Sequence, residues 1–338
     1  MRYRFIGDTL LTVPFLRNLR SAFPDARIDM LVGPASGEVL THCPYVDELI
    51  YFDTTRKHAY ENGKGKKQGF WHYVGELRKR GYDTAFILKR SFSSAALAFL
   101  AGISQRIGFD TEGRGFLLTH KAPYTMDCHE VDSFLSLLKV AELPVMDTHL
   151  ESWWGPEEEE VVNGILAPVS AKKHYVVHVT SSNGAKEWSD ARFAEVAQWL
   201  LTRDGKPEEV ALHGLGATGD RPRYEALRAL LPAKLQPRLH NWCGKTNLLE
   251  SLAFLKRMDG VVGVDSGTLH MAAAVGTPVV ALFGPMDSQK WRPYGEQHQV
   301  VSLGLPCQPC HLKIDCPIEF ACMKELAVEP VINACKTL

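Results

Sequence analysis

The stretch from Val261 to Pro285, reading VVGVDSGTLHMAAAVGTPVVALFGP, constrains the fold more than any other part of the chain. Two short apolar runs, Gly260–Val264 and Pro278–Phe283, read as buried strands of a parallel sheet. Between them Asp265-Ser266-Gly267-Thr268 opens a small-residue helix over Leu269–Val275, and Gly276-Thr277-Pro278 stops it. A strand–turn–helix unit of this kind points unpaired backbone N–H groups and the positive end of the helix dipole at its loop, where an anion can sit. Ser266 and Thr268 add hydroxyls there, Asp265 an acceptor and His270 a titratable ring.

The rest of the chain continues in the same alternation. Strands are expected at Ala26–Val32, Val46–Phe52, Thr84–Leu88, Arg106–Phe109, Tyr175–Val179, Glu209–Gly214, Pro237–Asn241 and Gln299–Leu303. Helices are expected at Leu10–Phe23, Pro34–Thr41, Phe70–Arg80, Ser93–Leu100, His129–Leu143, Asp190–Arg203, Arg221–Leu231 and Asn247–Met258. Alternating elements of this kind make an α/β fold with doubly wound sheets, and 338 residues are enough for two domains. Pro144 to Lys173, with Trp153-Trp154, Gly155-Pro156 and the acidic run Glu157–Glu160, reads as the join. The divisions read from the sequence are 1–160, 161–320 and a helical tail, 321–338, packing back on the first domain.

Several classes are disfavoured. A net charge of −1 argues against bulk binding of nucleic acid. No apolar run approaches the roughly 20 residues that span a bilayer, and Met1 to Asp8 carries no signal-peptide core, so a cytoplasmic setting is expected. The chain contains no D-x-D pair to hold a divalent metal on a diphosphate. A literal G-x-G-x-x-G at Gly214, Gly216 and Gly219 raises the alternative of an NAD-dependent oxidoreductase. It falls in the second βα unit of its domain, however, and the next strand ends in His240-Asn241-Trp242 without the carboxylate that a ribose requires.

Other anion-binding features lie elsewhere. Thr180-Ser181-Ser182 with Lys186 leads into a helix after a strand, a loop able to cradle phosphate. Lys89-Arg90-Ser91 follows a strand at its C-terminal end, where open α/β sheets place ligands. A basic stretch from Thr54 to Gly69 reads as a solvated loop that could meet an acidic acceptor. Of eight cysteines, Cys43, Cys128, Cys243 and Cys335 are scattered, while Cys307, Cys310, Cys316 and Cys322 cluster. That cluster lacks the paired C-x-x-C halves of a zinc ribbon, so a structural role, reduced or metal-bound, is read for it.

The wording D-S-G-T-L-H-x-A-A-A-x-G-x-P at Asp265–Pro278 followed by Phe283-Gly284-Pro285, with Gly7-Asp8, Lys186-x-Trp188 and the cysteine tail, resembles glycosyltransferase family 9, the heptosyltransferases. The resemblance covers nearly the whole chain. It implies a GT-B architecture, two Rossmann-like domains facing a central cleft that closes in turnover, with acceptor on the first and nucleotide sugar on the second. It implies inverting transfer of heptose from ADP-heptose to the inner core of lipopolysaccharide, without metal or other cofactor. Asp8 would be the catalytic base. Thr180, Ser181, Ser182, Lys186, Asp265, Ser266, Gly267, Thr268, Leu269 and His270 would bind the donor, and Lys89 and Arg90 the acceptor. The N-terminal helix, with Arg17, Arg20 and Arg27 on or near its polar side, and the Lys-rich loop would rest at the inner membrane surface without inserting. The family also implies a full first strand ahead of Gly7-Asp8, of which the sequence holds at most a stub, so either the start lies upstream or the first strand is short. Another nucleotide-sugar donor and a non-catalytic binder remain open at this stage.

Overall fold

A computed structural model describes residues 5–53, 68–312 and 315–338. The chain divides into two compact units, 1–149 and 150–338.

The described part of unit 1 opens with two short helices, α1 (Ile6–Leu10) and α2 (Val13–Ala22), where the apolar periodicity suggests one. The break falls at Leu11-Thr12, and Pro14, which has no N–H to give, sits harmlessly in the first turn of α2. Then follow β1 (Asp29–Val32), β2 (Glu48–Tyr51), α3 (Phe70–Arg80), β3 (Thr84–Ile87), α4 (Phe92–Leu100), β4 (Gln105–Phe109), β5 (His120–Ala122) and α5 (Glu130–Val140). Among the described residues its strand pairs are parallel and form two separate pieces, β1-β2 and β3-β4-β5. The stretch Pro34–Thr41 holds only a single 3-10 turn. The basic residues between Thr54 and Lys67 lie outside the described residues.

Unit 2 contains α6 (Pro156–Leu166), β6 (Lys173–His178), α7 (Asp190–Thr202), β7 (Val210–Gly214), α8 (Arg221–Leu230), β8 (Leu239–Asn241), α9 (Leu248–Lys256), β9 (Gly260–Val264), α10 (Gly267–Ala274), β10 (Val279–Leu282), α11 (Ser288–Trp291), β11 (Gln299–Val301), α12 (Ala321–Lys324) and α13 (Val328–Cys335). Its six parallel strands are ordered β11-β10-β9-β6-β7-β8. This is the Rossmann order, with the first strand of the unit central and the direction of winding reversing between β6 and β9. Strands β7, β9 and β10 are buried along their whole length, as expected for a sheet covered on both faces.

Two boundaries differ from the sequence reading. The acidic helix α6 belongs to unit 2 because it packs on α9, with Glu159 joined to Arg257 at 2.6 Å and to Trp154 Nε1 at 2.6 Å. The tail also belongs to unit 2, and its expected packing on the first domain is corrected. Cys322, Met323, Leu326, Val331 and Cys335 enter the unit 2 core, and α13 lies on α7. Trp188 Nε1 donates to Leu326 O at 2.9 Å, and Arg203 donates to the carbonyls of Cys335 and Leu338. No helix among the described residues is long and apolar enough to cross a membrane.

Candidate active site

The loops after β6 and β9 meet where unit 2's winding reverses, and there the predicted donor residues come together. Lys186 Nζ reaches Asp265 Oδ2 at 3.0 Å, an ion pair with side chains only 14% and 12% exposed. Ser181 Oγ donates to Asp265 O at 3.1 Å, tying the two loops a second time. The lysine is presented by a single 3-10 turn, Gly184–Lys186, which Asn183 caps through its side chain. Trp188 is its anchor, buried to 2% and edge-on to Phe193. Thus in K-x-W the tryptophan fixes the turn and the lysine addresses the site.

Ser266 is the N-cap of α10 in position, yet its side chain makes no capping bond. Its Oγ is buried without a hydrogen-bond partner among the described residues. Buried hydroxyls are normally satisfied, and this one is able to donate to a ligand acceptor at the positive end of a helix. Gly267 and Thr268 are half-buried beside it, Thr180 and His270 are buried, and Leu269 is a core side chain. Leu269 could therefore meet a ligand only through its backbone. The close passage of the strands beneath depends on Gly263, where a Cβ would stand 2.5 Å from His178 O.

The rival G-x-G-x-x-G loop is put to other uses. A Cβ on Gly214 would enter the ring of Tyr224, and one on Gly216 would lie 2.5 Å from the Asp220 carboxylate. Asp220 accepts from Ala217 N–H at 2.8 Å at the start of α8. A carboxylate thus fills the helix mouth that a dinucleotide's pyrophosphate would need, and the oxidoreductase reading is set aside.

In unit 1, Asp8 lies half-buried in α1, while Lys89 and Arg90 leave the C-terminal end of β3. Arg90 stacks over the Tyr124 ring at 4.1 Å, and Tyr124 donates to Glu130 at 2.7 Å. The residue that shapes this loop is Arg114, which the sequence reading does not single out. Fully buried, it donates to Phe109 O at 2.9 Å, Lys89 O at 2.5 Å and Ser91 O at 2.9 Å. An arginine between two glycines, Gly113 and Gly115, was the available signal. Of the arginines named for a membrane surface, Arg17 pairs with Asp147, Arg20 with Asp47, and Arg27 with Asp29 and Glu48.

The clustered cysteines carry no disulfide. Cys316 Sγ accepts from Phe320 N–H at 3.1 Å. Burial pushes the Cys322 thiol up, with a further contribution from Cys316, Cys310 and Cys307. No group of three or more His, Cys, Asp or Glu among the described residues is arranged to hold a metal. Gly284 of the F-G-P motif serves the tail, since a Cβ there would sit 2.5 Å from Met323 Sδ.

Two α/β units of parallel sheet, with the anion-binding loops at the strand ends of the second, have the architecture of the GT-B class of glycosyltransferases. Solved structures of this fold include the E. coli ADP-heptose lps heptosyltransferase II, with TM-score 0.76 and 22% identity over 99% of this chain and 96% of that one. Another is E. coli heptosyltransferase WaaC with ADP-2-deoxy-2-fluoro heptose, with TM-score 0.70 and 19% identity over 98% and 99%. Lipooligosaccharide heptosyltransferase 2 of Haemophilus influenzae is 26% identical over 313 residues, covering 88% of this chain and 86% of its own. Residues 71–319, nearly three quarters of the chain, match the family model of glycosyltransferase family 9 (heptosyltransferase), and the chain belongs to that family.

Proposed function

We propose that this chain transfers heptose from ADP-heptose to the inner core of lipopolysaccharide, by an inverting displacement that needs no metal. The observation that carries the reading is the Lys186–Asp265 pair beside the unsatisfied Ser266 hydroxyl, at the reversal of the unit 2 sheet. These groups suit a leaving diphosphate. Asp265 holds the ammonium in place, and Lys186, the hydroxyls of Thr180–Ser182 and the N-terminus of α10 stabilise the charge that grows on ADP as the glycosidic bond breaks. Asp8 takes the proton of the acceptor hydroxyl as that oxygen attacks the anomeric carbon from the opposite face. Lys89 and Arg90, held by Arg114, suit an anionic acceptor. ADP-heptose as donor is supported by the name of the E. coli heptosyltransferase II and by the fluorinated analogue held by WaaC.

The test is ADP release from ADP-heptose with a heptose-deficient lipopolysaccharide acceptor, in EDTA, with the product anomer read by NMR. Turnover with inversion is expected. Asp8→Ala should lose about 10²-fold or more in kcat while still binding donor, and Lys186→Met should weaken donor binding about tenfold. Failure to bind ADP-heptose would overturn the donor, and turnover only on adding Mg²⁺ would overturn the metal-free step.

A further inference from the structure

Single apolar side chains on a surface need no explanation, but two that touch on braced loops do. Phe92, the first residue of α4, is 44% exposed, and Phe116, in the connection between β4 and β5, is 73% exposed. Their rings meet at 6.1 Å. Phe99, another exposed ring of α4, is by contrast covered by the Arg106 guanidinium at 5.3 Å. The loops under the pair are fixed to each other. Arg114 donates to Ser91 O at 2.9 Å, Thr111 Oγ1 to Arg90 O at 3.1 Å, and the Phe92 amide to Glu112 Oε2 at 3.0 Å. Each bond joins the chain after β3 to the chain after β4, and ordering both segments costs conformational entropy. What these ordered loops present to water is two phenyl rings in contact.

The polar groups around the pair decide what it fits. A Cβ on Gly115 would enter the Asp110 carboxylate, so that exposed carboxylate lies against the residue next to Phe116. Glu112 caps the start of α4, and an anion placed there would meet like charge. An anionic group is therefore left to Arg90, which is half-buried and stacked on Tyr124 at 4.1 Å. A pyranose ring carries the matching mixture. One of its faces is made of C–H bonds, apolar and weakly positive, and suits the negative face of an aromatic ring. Its hydroxyls, around the edge, donate to carboxylates. An anionic bilayer suits the place less well, because Asp110 and Glu112 would oppose its surface charge.

We propose that the Phe92–Phe116 pair is a stacking platform for a sugar ring of the acceptor, with Asp110 accepting from its hydroxyls and Arg90 pairing with an anionic group on the same oligosaccharide. This rests on the reading of the chain as a transferase acting on a saccharide acceptor, and it names where the apolar face of that acceptor lies. The platform stands beyond the C-terminal ends of β3 and β4, where open α/β sheets place ligands. It also continues the Lys89–Arg90 loop. Cations alone hold charge and read little shape, whereas two rings in contact admit a flat apolar face and so favour a sugar over a bare phosphate.

The test follows ADP release by the full chain at saturating ADP-heptose while a deacylated, heptose-deficient core oligosaccharide is varied. Phe116→Ala and Phe92→Ala should each raise the KM for the oligosaccharide about fivefold, with kcat kept within about twofold. Phe116→Trp should restore the wild-type KM, and Phe116→Leu, apolar but without a π face, should not. The KM for ADP-heptose and the Tm should hold, and Phe99→Ala, at the far end of α4, should change nothing. Full activity in Phe116→Leu would overturn the proposal. So would a defect seen only with acylated acceptor or on vesicles, which would mean that the rings meet lipid. Saturation-transfer NMR of the same oligosaccharide without donor reads the platform apart from turnover. Its sugar C–H signals should appear with wild type and fall with Phe116→Ala, and equal signals would overturn the platform. That fall, in a protein whose wild type releases no ADP, would overturn the transfer reading and leave the platform standing.

Discussion

Both units follow one doubly wound plan, and they differ at its centre. In unit 2, β6 is bonded on both sides, to β7 and β9, and the two donor loops converge over that seam. Among the described residues of unit 1 the strands form two pieces, β1-β2 and β3-β4-β5, and a cavity is lined by residues of both β1 and β3. The difference teaches what the central strand does in such a sheet. It sets the distance between the flanking strands, and the loops at its C-terminal end inherit that spacing. The Lys186–Asp265 pair exists because β6 and β9 are adjacent, so that the loops leaving neighbouring strands bring the two side chains to 3.0 Å.

The largest expected separation between the units is in acid. Burial pushes His178 and His298 down to about 4, and lowers His174, His213 and His240 as well; all five lie in unit 2. Each is neutral in the fold and takes a proton once unfolded, so its contribution is intact above pH 6.5 and is lost as pH falls from there toward 4. For His178 the loss amounts to about 3 kcal/mol. In unit 1 the lowered groups are carboxylates, among them Asp47 through the Ile28 amide and Arg20, and Glu48 through Arg80. Their contribution is kept above the ordinary carboxylate range and lost only below it. Six of the seven tryptophans are in unit 2, so fluorescence should report loosening between pH 6 and 4.5 while amide exchange still protects unit 1. Simultaneous loss in both units would remove this distinction.

Much of this was legible from the sequence, for physical reasons that can be named. Strongly periodic segments with clear caps came out in place, α3 at Phe70–Arg80 and β9 at Gly260–Val264 among them. The donor loops were legible because an anion site at a helix start needs small, hydroxyl and cationic residues close together in sequence. What stayed hidden depends on contacts between distant segments. Nothing local in Arg114 says that it will bind three carbonyls, nor in Gly284 that Met323 will lie against it. The three-residue β5 is too short to show a period. The tail's docking rests on Trp188 meeting Leu326, 138 residues away.

The next effect concerns packing at the two centres. Gly263→Ala places a Cβ 2.5 Å from His178 O and 2.7 Å from His178 Cβ, both belonging to the adjacent strand. Backbone on that side cannot rotate away, so β6 and β9 must separate. A cost of about 1–3 kcal/mol is expected, read as a lower urea midpoint with unchanged slope. Donor binding should weaken with it, because the Lys186–Asp265 contact depends on the same seam.

The smallest effect is the converse substitution in unit 1. Ala85 on β3 is buried but lines the cavity, so Ala85→Val adds two carbons where there is room. Each buried carbon contributes up to about 0.8 kcal/mol, offset by the fixing of a β-branched side chain that a strand already favours. A change between zero and about 1 kcal/mol in the stabilising direction follows, measured by the same urea titration. The sign is what matters, because one added carbon at Gly263 and two at Ala85 should then move stability in opposite directions. A loss at Ala85 comparable to that at Gly263 would mean that unit 1 is packed as tightly at its centre as unit 2, and the contrast between the sheets would fail.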